Sequence, residues 1–218
     1  MTPLDEDRSG EGSPGSPAEA LRVIEQSRAE AERRLQAHPM VFFGPWGAAW
    51  LLGFGVMFLR FGPDGRVLVD IPRWLALAVL FALLFAAAGI SGFLAARTFR
   101  HVRGRSSVQG AMYGFAWMLS FMGMGITLRH FNTLLPDPDL SMLWATVSVG
   151  LTAALHMAGG AVFQDRLLFG VGVWLTAVNI GGALLGPGWH NLAISVAGGG
   201  GMLLAGVLLW LRGWKPSP

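Results

Sequence analysis

The chain has 218 residues, 53% hydrophobic and 13% charged, with a formal net charge of +3 and no cysteine. Soluble proteins carry about a quarter charged residues, so this composition excludes an ordinary water-soluble globule and makes a bilayer the expected solvent. The missing thiols exclude a disulfide framework, thiolate metal sites and thiol catalysis, and a pI near 10.5 does not imply nucleic acid, because the arginines cluster beside apolar stretches as orientation signals do.

Residues 1–15 are rich in Ser, Pro, Gly and acids and bury too little apolar area to offset ordering entropy, so a disordered tail is expected there. Neither a basic start nor an apolar core marks a cleaved signal peptide, which leaves insertion to the first membrane helix. Ser16, Pro17 and Glu19 form a capping box at the start of an expected cytoplasmic amphipathic helix, 16–37. Leu21, Ile24, Ala31 and Leu35 make a narrow stripe on it among Arg22, Arg28, Arg33 and Arg34. Such a helix fits the inner leaflet surface, a partner protein or a solvated juxtamembrane position.

Six apolar stretches follow at about 41–60, 74–96, 108–128, 140–163, 167–186 and 190–211. Each is close to the ~20 residues that a ~30 Å hydrocarbon core requires, which predicts an all-α, six-span membrane domain over 41–212. Charges at Arg60, Arg97 and Arg212 end some stretches; Gly62-Pro63-Asp64-Gly65, Pro136-Asp137-Pro138-Asp139 and Gly186-Pro187-Gly188 supply turns. The N-terminal segment, the 97–107 and 164–166 loops and the C-terminal tail hold twelve Lys and Arg, against Arg60, Arg66, Arg73 and Arg129 on the other side. The positive-inside rule therefore places both termini in the cytoplasm of a cell-membrane protein. Trp74, Trp144 and Trp189 then fall at the outer interface, and Trp210 and Trp214 at the inner one.

A weak internal repeat runs through these stretches. The odd helices share a tryptophan, expected to be buried, at Trp50, Trp117 and Trp174, and the even helices carry small-residue runs. Three tandem helical hairpins produce such a pattern, as does compositional coincidence.

Polar groups are costly inside a bilayer and so point to function. His156 in the fourth stretch and Asn179 in the fifth are the intramembrane candidates, separated in depth by about 8 Å at 1.5 Å per residue. Either they line one polar cavity, or each bonds a backbone carbonyl or a neighbouring helix. The absence of intramembrane carboxylates weakens a proton- or sodium-coupled mechanism. Arg129 and His130 close the third stretch and His190 opens the sixth on the same side. The two histidines make a haem or metal pair only if their helices touch; otherwise they are ordinary interfacial residues. With no third ligand at suitable spacing, no metal or cofactor is expected. Gly159, Gly160, Gly198, Gly199, Gly200 and Gly201 read as helix-packing positions, and Met112, Met118, Met122 and Met124 as adaptable filler.

The stretches GPWGAAWLLGFG (44–55), ALHMAGGAVF (154–163), GVWLTAVNIGG (172–182) and GPGWHN (186–191) resemble those of uncharacterised six-helix integral membrane proteins of actinobacteria, commonly labelled only as transporters. That resemblance covers about 40–212 and implies multiple spans; it carries over no functional residue. Two functions remain in view. One is a transport-related component, either a small permease or the membrane subunit of an exporter powered by a separate ATPase. In outline it is similar to ABC-2-type permeases, although the short 186–190 connection leaves little room for their re-entrant structure. The other is a non-transporting anchor, assembly or regulatory partner of another membrane protein or of a second copy. No HExxH or GxSxG motif and no pair of intramembrane aspartates appears, so an enzyme is not expected.

Overall fold

The computed structural model describes residues 16–23, 25–26, 39–63, 66–99, 105–137 and 139–213. The chain divides into two units, Met1–Ala37 and His38–Pro218. In the first, residues 17–23 and 25–26 are helical, and the Glu19 N–H donates to the Ser16 hydroxyl at 3.2 Å, as a capping serine should. The tail 1–15 and most of the remaining segment to residue 37 lie outside the described residues.

In the second unit every element among the described residues is helical. We label them α1 (Pro39–Arg60), α2 (Arg73–Phe99), α3 (Arg105–Arg129), α4 (Asp139–Phe163), α5 (Arg166–Leu185) and α6 (187–213). Helix ends fall where polar groups can replace the lost intrahelical bonds. Asp165 caps α5 through the N–H groups of Leu167 and Leu168, at 2.9 and 3.1 Å. A single residue joins α5 to α6: Gly186, at φ 95°, turns the chain in a conformation that other L-residues rarely adopt, and Pro187 occupies the first turn beyond it.

Five helices, α2 to α6, are long and apolar enough to cross a membrane, which is compatible with a multi-pass membrane protein. Among the described residues the 22-residue α1 is not one of them.

Spatially the helices form a row in the order α2, α1, α6, α5, α4, α3, with the start of α6 also reaching α4. Neighbours run antiparallel. Trp46 meets Ser91 while Gly53 meets Leu80; Gly47 meets Leu203 while Leu51 meets Ser195; Tyr113 meets Leu155 while Ser148 meets Met124. The two members of each expected hairpin are adjacent, yet the two most extensive interfaces, α1 with α6 and α4 with α5, both cross from one hairpin to another. The three repeat tryptophans are not equivalent, contrary to expectation. Trp50 is buried in the core, Trp117 is half-buried and Trp174 is half-exposed, because the tryptophan falls on a different side of each helix relative to its neighbours.

The core lies where α1, α4, α5 and α6 converge, around Trp50, Val149, Leu175 and Ile194. Small residues permit that convergence. A side chain at Gly199 would collide with the backbone nitrogen of Leu51 and lie 2.8 Å from the Gly47 carbonyl; one at Gly172 would lie 2.6 Å from the Ala153 carbonyl. Gly160 seats against the backbone of Phe169, Gly159 against the Tyr113 ring, Gly198 against the Trp50 ring at 3.2 Å and Gly201 against Trp174 Nε1 at 3.0 Å. Gly200 departs from the packing role expected of it, since a side chain there would meet nothing within 4 Å.

These neighbours set a stability contrast. Gly199→Ala forces two backbones apart and should cost about 1–3 kcal/mol, whereas Gly200→Ala should change stability by less than about 1 kcal/mol. Unfolding of the two variants in mild detergent checks the ordering; equal losses would contradict the packing described.

Candidate functional site

The most buried polar residues sit where α4, α5 and α6 meet. Gly172, Leu175, Val178, Asn179 and Gly182 recur at helical spacing and form the buried side of α5. Asn179 therefore points into the protein, 6% exposed. The Gly186 turn delivers His190 to the first turns of α6, where its N–H bonds the Gly186 carbonyl at 2.8 Å. Gly182 lacks a side chain, and His190 closes over that position. His190 is 0% exposed.

The hydrogen bonds fix the chemistry of the cluster. Asn179 Nδ2 donates to the Thr146 carbonyl at 3.0 Å, so the amide oxygen faces His190 Nε2 at 2.8 Å. Nε2 must then carry the imidazole proton, with the Thr146 hydroxyl 3.4 Å away as a weaker second neighbour. Nδ1 is left as a bare acceptor, buried and without a hydrogen-bond partner among the described residues. On the next turn Ser195, 3% exposed, donates to the Leu51 carbonyl at 2.7 Å and ties α6 to α1.

Below this cluster α6 leaves α geometry. Pro187–Ala193 is α-helical, Ile194–Gly200 is a π-helix and Gly201–Gly213 is α-helical again. The Gly201 N–H bonds Gly198 rather than Ala197, and the Ala197 carbonyl accepts from the Trp174 indole at 3.0 Å. A tryptophan on the exposed side of α5 thus finds a partner for its N–H within the helix pair.

His156 belongs to a different place. Its Nδ1 donates to the Thr152 carbonyl at 2.8 Å, and its ring stands edge-on to Trp117 at 5.4 Å. Thr146, which Asn179 contacts, lies ten residues earlier on α4, about 15 Å away along the axis. Of the two alternatives for His156 and Asn179, the geometry matches the second: each bonds a backbone carbonyl of α4, in separate places.

Arg129 and His130 are exposed, His130 opening a short 3-10 turn, His130–Thr133, with its ring against Phe131. His190, read from sequence as interfacial, is instead fully enclosed and spent on Asn179, because the 61–63 turn covers the start of α6. Among the described residues no group of three His, Cys, Asp or Glu is placed to hold a metal ion. At the same end of the unit, Asp137 takes both Arg60 and Arg73 at 3.5 Å and the Ser141 hydroxyl at 2.7 Å. Arg60 also donates to the Ile71 carbonyl. This clamp joins α1, α2 and the approach to α4.

Thr146 and Ser195 were not singled out from sequence, and Trp174 only as a repeat tryptophan expected to be buried. Hydroxyls and indoles are ordinary in apolar helices, and only the helix register reveals their partners. The one usable signal was the turn glycine, which brings the first turn of α6 back beside Asn179.

No known protein family, curated protein or solved structure matches the chain.

The shared bond makes a coupling prediction. Asn179→Leu and His190→Phe should each cost about 1–2 kcal/mol, the range for interhelical polar contacts in membranes. The double variant should lose less than the sum, because both single changes break one interaction. Strict additivity in a detergent-unfolding cycle would dissociate the two residues.

Proposed function

We propose that the chain is a six-span membrane protein with both termini cytoplasmic, acting as a non-transporting anchor, assembly or regulatory partner of another membrane protein. For the sixth span, the support is that α1 lies between α2 and α6 and runs antiparallel to both. Its 22 residues extend about 33 Å, enough for the hydrocarbon core.

One observation carries the functional reading. Both intramembrane polar residues identified from sequence engage backbone or side-chain partners inside the helix packing: Asn179 with Thr146 and His190, and His156 with Thr152. A permeation pathway needs polar groups turned toward water or substrate; here Asn179 ties three helices together and His156 is bonded to its own helix. The edge helices meanwhile present large apolar residues outward, including Phe85 at 73%, Met112 at 68% and Ile126 at 70% exposure. Lipid or another helix can cover them.

Transport, as a small permease or an exporter subunit served by a separate ATPase, is the second reading. Its support is the π segment beside a buried histidine nitrogen without a partner, since π segments are frequent at functional sites.

Two measurements separate these readings. Purification in mild detergent should recover another membrane protein in stoichiometric amount, and Asn179→Cys in this cysteine-free chain should resist a membrane-impermeant thiol reagent in intact cells. Rapid labelling of that cysteine, with the protein purifying alone, would favour the transport reading. A reporter fused after Pro218 should be active in the cytoplasm; activity only outside would reverse the proposed topology.

A further inference from the structure

The π segment of α6 lies between two halves held in different ways. Toward the start of the helix the seats are specific. A side chain at Gly188 would collide with the Gly62 carbonyl, and His190 is bonded to Asn179. Toward its end small residues make most of the close approaches, beside Leu203, which fills the Gly47 position, and the buried Met202. Gly199 sits on Leu51 and Gly47, Gly201 lies beside Trp174 Nε1, and Gly206 lies beside Met40 and Phe43.

A π turn, with its i→i+5 bonds, holds an extra residue relative to an α turn. Were Ile194–Gly200 to relax to α geometry with the first half fixed, the second half would slide by one residue. That is about 1.5 Å toward the C-terminus with a rotation of about 100°. Each close seat would then be taken by the preceding residue. Gly198 would face Leu51, Gly200 would face Trp174, and Ala205 would face Met40 and Phe43. Each small seat again receives a small residue, and at Gly47 Met202 takes the place of Leu203. The run Gly198 to Gly201 is longer than the observed register needs, since Gly200 packs against nothing; the shifted register accounts for it.

A latch holds the observed register. The Ala197 carbonyl does not receive Gly201, its α-helical donor, and is satisfied by the Trp174 indole at 3.0 Å. Returning to α geometry gives that carbonyl back to Gly201 and carries it with the sliding half away from the indole. Trp174 is 50% exposed, so the latch faces outward from the core.

We propose that the last helix is a two-register element, in which the Trp174 indole on the Ala197 carbonyl holds the π form and its release lets the C-terminal half slide one residue along α1. The device is independent of which function the protein serves.

The absence of native cysteine makes the register directly readable by disulfide trapping in the full chain, reconstituted in bilayers. A Cβ at Gly206 would lie 3.2 Å from Phe43 Cβ, close to disulfide spacing. Phe43→Cys with Gly206→Cys therefore reports the observed register, and Phe43→Cys with Ala205→Cys the shifted one. Trp174→Phe keeps the ring and removes only the donor. The Gly206 pair should dominate when Trp174 is present; in Trp174→Phe its yield should fall while the Ala205 pair rises severalfold. An unchanged Gly206 yield in Trp174→Phe would overturn the proposal, as would a joint fall of both pairs, which would mean lost packing rather than a change of register.

Discussion

Everything in this fold answers to one constraint: a polar group carried into an apolar helix bundle must find its partner within the protein, because hydrocarbon offers none. Asn179 shows how tightly that constraint binds. Its amide spans three helices, donating to the Thr146 carbonyl on α4 and accepting from His190 on α6. Ser195 and Trp174 repeat the solution with the carbonyls of Leu51 and Ala197. Each bond is worth only about 0.6–2 kcal/mol, but each also fixes the rotation of one helix against another.

Those bonds depend on close approach, and close approach depends on glycine. Gly182 lets His190 come within reach of Asn179, and Gly199 lets α6 lie on α1 near enough for Ser195 to reach Leu51. Dispersion and hydrogen bonding are therefore not separate contributions here; the missing side chains create the geometry that the polar atoms use. α2 and α3 lack such a double interface. Each packs along one side, with 6% of its most apolar window buried against 33% for α6, and this difference divides the row into a core and two edges.

The helices themselves were legible in the sequence, because apolar length and turn chemistry report directly on where a chain can bury its backbone bonds. Stretches read as 41–60, 140–163 and 167–186 correspond to Pro39–Arg60, Asp139–Phe163 and Arg166–Leu185. What periodicity does not encode is which side of an all-apolar helix faces a neighbour. Hence Trp174 was expected to be buried and is half-exposed, while His190 was expected at an interface and is enclosed. Asn179 is conspicuous for its polarity, but nothing in its spacing shows that its side-chain partner lies across the Gly186 turn at His190. The π segment has no sequence signature beyond its glycines, and the same glycines serve simple packing equally well.

The account rests on His190 being a neutral imidazole that donates from Nε2 to Asn179. Nitrogen NMR of histidine-labelled protein tests this most directly, with the signal among the five histidines assigned by its loss in His190→Phe. The account predicts a proton on Nε2, a bare Nδ1 and a perturbation of both in Asn179→Leu. A proton on Nδ1, or on both nitrogens, would contradict it and detach Asn179 from the centre of the fold.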